Sequence, residues 1–196
     1  MRKVLFIWAL FLGILPSMAQ EISMDKTKQD GSRTIITKND WIKTSLPDKS
    51  IMGFSLCYHS SPEGKETYRI ILALNSTKRH NMMEKGLLLL KTSRNEVIEG
   101  QEDVLSYLPS DNAKEVKVRK VKLKLNKIRM AYHIAYDDLK KIATDGVIKS
   151  RFETVTGYVD MEYTPKQMEE IKELISSHLQ CLEEARKTSS DIRAGF

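Results

Sequence analysis

The chain of 196 residues contains only two cysteines. Two cysteines allow at most one internal disulfide bond, which excludes a small domain held together by several disulfides. The sequence also lacks a glycine-rich phosphate loop, the HExxH and GxSxG motifs, a CxxC pair and an EF-hand loop. These absences remove the commonest cofactor and hydrolase classes and leave open only sites built from scattered residues.

Long apolar segments are confined to the first twenty residues, MRKVLFIWALFLGILPSMAQ. Arg2 and Lys3 precede an apolar stretch over residues 4–15, and the small residues Ser17 and Ala19 follow it. A positive start, an apolar stretch and a small-x-small site in this order are typical of a secretory signal peptide. We therefore predict that residues 1–19 are removed by cleavage after Ala19. The mature chain is then exported, periplasmic or secreted, and has no transmembrane segment.

Charge of one sign does not dominate the chain. Without Arg2 and Lys3 the formal net charge falls from +6 to +4, and the remaining positive residues are mixed with many aspartates and glutamates. Such a balance favours solubility and weak affinity for anionic surfaces, and it does not specify a nucleic-acid-binding protein. Residues 20–33 are polar and aperiodic, which predicts a mobile leader. Residues 34–196 are long enough for a single domain with its own core.

Short segments of strand character recur along this domain, separated by turn residues. Because neighbouring side chains of a strand alternate between its faces, three segments carry a large-residue face and a small-residue face. In IMGFSLCYH the small-residue face holds Gly53, Ser55 and Cys57. In ETYRIILALN and IRMAYHIAY it holds Ala73 and Ala131. The predicted strands are residues 33–38, 50–59, 66–75, 86–92, 95–100, 114–125, 128–136 and 147–156.

Two helices are predicted near the end of the chain. A long amphipathic helix starts with Thr164 as N-cap and Pro165 at its first position, and runs through KQMEEIKELISSHLQCLEEARK. A short helix over DDLKKIATDG has Asp137 or Asp138 as its cap and Gly146 at its end. We expect the long helix to lie on the small-residue face. The predicted fold is α+β, a mostly antiparallel, curved β-sheet backed by the long C-terminal helix, with one short helix before the last strand.

The segment GVIKSRFETVTGYVDMEY, residues 146–163, combines a strand pattern with charged residues. Alternation places Lys149, Arg151 and Glu153 on one face of this strand, which we interpret as its solvent face. Gly157 and Asp160 are expected to turn the chain toward the long helix. The segment is therefore interpreted as scaffold.

This region resembles small exported proteins of unknown function from Bacteroides-type bacteria. The likeness lies in AYDDLKKIATDGVIKSRFET, in Asp160 and the long helix that follow, and in the strand pair YRIILALN…KGLLLLKTSRNEVIEG. It is found mainly in residues 66–100 and 135–163. Ser150 departs from it, because an apolar residue is expected there. The resemblance implies the fold and the export of the chain, and it carries over no catalytic residues.

Two cysteines and two histidines form a candidate cluster under the long helix. Cys57 and His133 are on the small-residue face, and His178 and Cys181 are on the helix that is expected to cover it. These are the residue types of a tetrahedral metal site or of a thiolate activated by an imidazole, although the spacing matches no known finger or protease. A Cys57–Cys181 disulfide is another interpretation, and such a bond would add roughly 4–5 kcal/mol to the stability of the folded chain in the chain-entropy model. In the third interpretation these residues belong to the core.

The most basic segment is KEVKVRKVKLKLNKIR. Alternation places Lys117, Lys122 and Lys124 on the outer face of the predicted strand, and a change of phase at Arg119 and Lys120 predicts a bulge. Such lysines commonly deter edge-to-edge pairing. The other interpretation is a surface for an anionic glycan, a lipid headgroup or an acidic protein. No aromatic residues are interleaved with these lysines, which argues against nucleic acid as the partner.

The loop NSTKRHNMMEKG joins two predicted strands by a long route. It places Lys78, Arg79 and His80 beside Met82 and Met83. Long loops on rigid sheets often carry recognition, and adjacent methionines form an adaptable apolar contact. We predict that this loop faces a partner.

The missing motifs and the scaffold interpretation of the best-patterned segments favour a non-catalytic envelope or binding protein. No catalytic residue, metal ligand or cofactor is predicted for it, and its expected partner is a protein or an anionic glycan or lipid. The alternative is a small hydrolase or metal-binding protein that uses the cysteine and histidine cluster.

Processing provides the first test. The intact mass of the protein recovered from the exporting cell should match a chain that begins at Gln20, because the small-x-small site ends at Ala19. A stable membrane-bound product that keeps residues 1–19 would contradict the predicted location.

Overall fold

A computed structural model describes residues 21–43, 51–76, 86–102, 114–118 and 121–194, so the predicted signal peptide lies outside the described residues. These residues form eleven strands and two helices. The strands are β1 (Ile22–Thr27), β2 (Arg33–Thr37), β3 (Asp40–Lys43), β4 (Ile51–Ser60), β5 (Glu66–Ser76), β6 (Leu87–Thr92), β7 (Val97–Glu102), β8 (Lys114–Val118), β9 (Val121–Ile134), β10 (Val147–Thr154) and β11 (Gly157–Glu162). The helices are α1 (Tyr136–Asp145) and α2 (Pro165–Ala194).

The strands form one mostly antiparallel sheet, which confirms the predicted α+β class. Its order is β1-β2-β4-β5-β9-β7-β6-β10-β11, with β3 paired to β4 and β8 paired to β9. Neighbours in sequence commonly pair through short turns, as in β4–β5, β6–β7 and β10–β11. The long strand β9 lies at the centre, between β5 and β7.

The sheet is open and curved, and it wraps around α2. The helix contacts β2, β3 and β4 near one end of the sheet and β10 near the other. In a flat sheet β4 and β10 would be five strand spacings apart, about 24 Å. Instead Phe54 of β4 and Val147 of β10 line one apolar cavity of about 10 Å³, together with Ile171 and Ile175 of α2. Strands near both ends of the sheet therefore meet the same helix.

The helix packs on the large-residue face of the sheet, so the prediction that it covers the small-residue face is wrong. A curved sheet encloses a wide space around a helix, and only large side chains fill that space at the density of a protein interior. The strand residues of the core include Met52, Phe54, Leu56, Ile70, Leu72, Leu74, Met130, Tyr132 and Ile134, and the helix residues are Ile171, Ile175, Leu179 and Leu182.

The small-residue face is also buried, and the connection between β2 and β3 provides part of its cover. A Cβ atom at Gly53 would overlap the side-chain amide of Asn39, so this position has no room for a side chain. Beside it, Ser55 is fully buried. A second apolar cluster on this face consists of Cys57, Ile71 and Ala131, with Ile36 packed against it. The small residues thus admit the chain's own β2–β3 segment rather than α2.

The predicted start of α2 is confirmed. The Gln167 N–H donates to Thr164 Oγ1 at 3.3 Å, and Gln167 Oε1 accepts the Thr164 N–H at 2.9 Å. This reciprocal pair is a capping box, which satisfies backbone groups that the first turn leaves open. The Gln167 side chain also donates to the Lys43 carbonyl at 2.5 Å, which joins the start of α2 to β3.

The end of α1 is confirmed, but its predicted cap is wrong. The N-cap is Ala135, and Asp137 and Asp138 lie in the first turn, where their negative charge favours the helix dipole. Gly146 ends the helix with φ at 72°, a conformation that residues with a Cβ rarely adopt. A Cβ atom there would also lie 2.7 Å from Met168 of α2, so glycine allows the two helices to approach.

Three strands of the structure were not predicted from the sequence. Residues 22–27, placed in the predicted leader, form β1, an edge strand whose side chains are nearly all exposed. Because neither face of β1 is apolar, the sequence carries no alternation there. The strands β3 and β11 were also missed, so α1 precedes the last two strands and Asp160 lies within β11 rather than in a turn.

The basic segment forms two strands rather than one. The strands β8 and β9 pair antiparallel with Val118 opposite Val121, which is incompatible with a single strand through residues 114–125. The predicted bulge at Arg119 and Lys120 lies outside the described residues. The strand β9 then continues without a break from Val121 to Ile134.

The docking of α2 is tested by truncating its buried face. Ile175 is fully buried in the core, so Ile175→Ala should lower the free energy of unfolding by about 2–5 kcal/mol. Glu173 is exposed on the same helix, and Glu173→Ala should change it by less than about 1 kcal/mol. Urea denaturation measures both, and equally small effects would contradict the packing.

Candidate functional site

The predicted cysteine and histidine cluster is not formed. Cys57 and His133 belong to the small-residue face, whereas His178 and Cys181 belong to the helix on the opposite side of the sheet. Cys57 and Cys181 are not joined by a disulfide bond, which the sequence had left as one of three interpretations. The expectation failed because it placed α2 on the wrong face.

Metal-ligating groups do not converge elsewhere in the part of the chain that the structure describes. No group of three or more His, Cys, Asp or Glu side chains is placed to hold a metal ion among these residues. Burial raises the pKa of the Cys181 thiol, which disfavours the reactive thiolate. The described residues therefore do not support the hydrolase or metal-binding alternative at this cluster.

Only one of the two predicted partner surfaces lies within the described residues. The loop residues Lys78, Arg79, His80, Met82 and Met83 lie outside the described residues. The lysine positions lie on the β8–β9 hairpin, where Lys117 is directly opposite Lys122 and Lys124 is opposite Glu115. Directly opposed residues of an antiparallel pair share a face, so the register brings the three lysine positions to one side of the hairpin.

A cluster of aromatic and charged residues joins the sheet to both helices. Its residues come from β4, β5, α1 and α2, and their distance along the sequence explains why no spacing pattern revealed them. We call it the tyrosine–arginine cluster, and it consists of Tyr58, Glu66, Tyr68, Tyr136, Glu183 and Arg186.

Arg186 is at the centre of the tyrosine–arginine cluster. Its Nη1 donates to the Tyr68 hydroxyl at 2.6 Å, and its Nη2 donates to Glu66. The guanidinium also lies 4.6 Å from the ring centroid of Tyr58, whose hydroxyl donates to Glu66 at 2.8 Å. Cation–π contact and charge-assisted hydrogen bonds thus fix the later turns of α2 to the start of β5.

The tyrosine–arginine cluster is a structural clamp. Burial raises the pKa of Tyr68 to about 12, and the hydrogen bond to Glu183 raises the pKa of Tyr136. Both phenols remain protonated at neutral pH, so neither supplies a base or a nucleophile. Tyr136 donates its hydrogen bond to Glu183, whereas Tyr68 accepts one from Arg186. The arrangement holds elements together and leaves no activated group.

His178 is a buried polar residue of α2 that faces β3. Its side chain is fully buried, and Nε2 lies 3.7 Å from Asp40 Oδ2 of β3, beyond hydrogen-bonding distance. Among the described residues neither ring nitrogen has a hydrogen-bond partner. Burial lowers the pKa of His178 to about 4, against the opposite pull of the Asp40 carboxylate. At neutral pH the imidazole is therefore uncharged.

The β10–β11 hairpin presents an ordered set of charges at the end of the sheet. Arg151 donates from Nε and Nη2 to the two carboxylate oxygens of Asp160, at 2.6 and 2.7 Å. Lys149 lies 3.4 Å from an oxygen of Asp160 and 3.4 Å from one of Glu162. The hydrogen bonds from Arg151 hold the pKa of Asp160 at about 2. We call these four residues the charged face of the hairpin.

Exposed apolar side chains border the charged face. Tyr158 is 62% exposed and Val155 is 67% exposed. The valine side chain is apolar, and the tyrosine ring is apolar apart from its hydroxyl. The Arg151 guanidinium lies 5.0 Å from the Tyr158 ring centroid, within cation–π range. Glu153, opposite Tyr158, accepts a hydrogen bond from the Leu87 N–H at 3.0 Å. The scaffold interpretation missed this surface, because it placed Asp160 in a turn.

Ser150 has a local explanation. It is buried on the inner side of β10, and its hydroxyl is 2.8 Å from the hydroxyl of buried Tyr163. A polar residue at this expected apolar position therefore gives a buried phenol its hydrogen-bond partner.

Comparison with known proteins does not identify a relative. No protein-family model, no curated protein and no solved structure matches the chain. Neither helix, within the described residues, is long and apolar enough to cross a membrane.

His178 predicts a dependence of stability on pH. Its pKa is about 4 in the folded chain and about 6.5 when unfolded, so below pH 6.5 the unfolded chain binds more protons. Between pH 7 and pH 4 the free energy of unfolding of the wild type should fall by up to about 3 kcal/mol relative to that of His178→Leu. This difference should level off below pH 4, where His178 is protonated in both states. Urea denaturation across this range measures it, and parallel pH profiles would contradict the burial of a neutral imidazole.

Proposed function

We propose that the chain is an exported, non-catalytic binding protein of the cell envelope, which holds its partner at the β10–β11 end of the sheet. Its export rests on the signal-peptide pattern that ends at Ala19. The resemblance to small exported proteins of Bacteroides-type bacteria supports the same location. A binding role is favoured because the two charged clusters described above stabilise structure and leave no activated group.

The observation that carries this proposal is the locked arrangement around Tyr158. Arg151 is fixed by two hydrogen bonds to Asp160 and in turn lies against the exposed Tyr158 ring. A tyrosine held by its neighbours loses little conformational entropy on binding, and offers an apolar body with a polar tip. Val155 extends the apolar area beside it. A surface of this kind suits recognition of another macromolecule.

A second surface is favoured by the register of the β8–β9 hairpin. The register places Lys117 directly opposite Lys122, so the lysine positions predicted from the sequence belong to paired positions of one hairpin. The partner of this second surface would be anionic, either a glycan, a lipid headgroup or an acidic protein. The loop with Met82 and Met83 remains a proposed contact from the sequence alone.

The proposed function is tested by capture from an envelope extract with purified variants. Tyr158→Ser combined with Val155→Ser removes the exposed apolar side chains, and should reduce the captured partner at least severalfold. Trp41→Ser is the matched control, because Trp41 is 43% exposed on β3, a strand that does not pair with this hairpin.

The lysine surface is compared in the same experiment. Lys117→Glu with Lys122→Glu should reduce capture only at low salt, because screening removes the attraction that the wild type gains. Full capture by the Tyr158→Ser, Val155→Ser variant would contradict the site at the β10–β11 end, and full capture by both this variant and the lysine variant would contradict the proposed function.

A further inference from the structure

We propose that the free edge of β11 binds an extended segment of another protein as an additional antiparallel or parallel strand, and that this segment carries lysine or arginine at alternate positions. The inference rests on the proposed function and specifies the partner for the β10–β11 end of the sheet. It follows from three features of β11, namely its regularity, its outward backbone groups and its charge.

Among the described strands, β11 has the most regular free edge. At the opposite end of the sheet β1 has an irregular register between Ile22 and Met24. The strand β3 is only four residues long, and β8 contains lysines, two features that commonly block edge pairing. In contrast, β11 has six residues in unbroken register with β10 and contains neither lysine nor proline.

The outward backbone groups of β11 follow from the pairing with β10. The Tyr163 N–H donates to the Ile148 carbonyl at 2.9 Å, so residues of odd number point their backbone groups toward β10. The alternate residues Tyr158, Asp160 and Glu162 therefore direct their N–H and C=O groups away from the sheet. No strand within the described residues pairs with this side of β11. These groups form a template for one more strand.

The charges across the hairpin indicate the chemistry of the added strand. On the outer face Arg151 is opposite Asp160 and Lys149 is opposite Glu162, so a positive row in β10 is followed by a negative row in β11. Glu162 is 77% exposed and Asp160 is 36% exposed, and the carboxylates form the outermost row. Because opposite charges in adjacent cross-strand positions are favourable, the next strand gains from positive residues there.

The inner side of β11 determines the intervening residues. Val159 packs against the main core and Met161 is buried in it. An added strand would place its own inner side chains beside these two residues, where apolar groups continue the covered surface. The partner segment therefore alternates apolar with basic residues, and β-strand addition provides affinity through the main chain and specificity through alternate side chains.

The experiment uses the mature full-length chain and two labelled synthetic peptides, one of alternating valine and lysine and one of alternating valine and glutamate. Fluorescence anisotropy should show saturable binding of the lysine peptide and at least tenfold weaker binding of the glutamate peptide. Amide exchange measured by NMR should slow at Tyr158 and Asp160 when the lysine peptide binds, because the N–H groups of these two residues point away from β10 and would be paired by an added strand. Slowing elsewhere, or equal binding of both peptides, would overturn the proposal.

Two variants separate edge pairing from general attraction. Glu162→Lys should weaken the binding of the lysine peptide about tenfold, because one favourable cross-strand pair becomes a repulsive one. Tyr158→Pro removes an outward backbone N–H group, and it should weaken both the binding of the peptide and the protection from amide exchange. Glu170→Lys is the control, since this exposed residue lies on α2, and it should leave binding unchanged.

The outcomes distinguish this inference from the proposed function. Loss of envelope capture in Tyr158→Ser with Val155→Ser, together with no binding of the lysine peptide, would overturn the strand addition alone. A wild type that forms dimers in sedimentation without any peptide, and loses them in Glu162→Lys, would also overturn it, because the edge would then pair with a second copy. Peptide binding without envelope capture would overturn the proposed function instead.

Discussion

The burial of one helix inside a curved sheet is the constraint on which the rest of the structure depends. The apolar stripe of α2 contacts β2, β3 and β4 from one end of the sheet and β10 from the other. Phe54 and Val147, five strands apart in sheet order, reach the same small cavity as Ile175. Closing the sheet this far requires large side chains on its inner face, which is why the alternating large and small residues of β4, β5 and β9 are sorted as they are.

The remaining polar features follow from this arrangement. The tyrosine–arginine cluster secures the later turns of α2 through Arg186, and the capping box with Thr164 secures its start. His178 is enclosed between α2 and β3, where it stays uncharged at neutral pH. The last hairpin lies at the end of the sheet, so the side chains of its outer face are exposed, and β10 is the only neighbour of β11 among the described strands.

Features that depend on neighbouring residues could be predicted from the sequence. Features that depend on packing between distant segments could not. Thr164 and Gly146 marked helix ends, because capping and left-handed backbone involve neighbouring residues only. The face covered by α2 was assigned wrongly, because the room around Gly53 is filled by Asn39, which no periodicity reveals. Asp160 was assigned to a turn, since its partner Arg151 is recognised only once the strands are in register. The tyrosine–arginine cluster was missed for the same reason.

The most direct test of the curved sheet is an NMR measurement of nuclear Overhauser effects from the Ile175 methyl groups. A sheet that wraps around α2 predicts cross-peaks both to the Phe54 ring of β4 and to the Val147 methyl groups of β10, because the three side chains line one cavity. Cross-peaks to only one of these strands would contradict the wrapping of the sheet. Cross-peaks to Ala73 or Ala131 would place the helix on the small-residue face and contradict the fold described above.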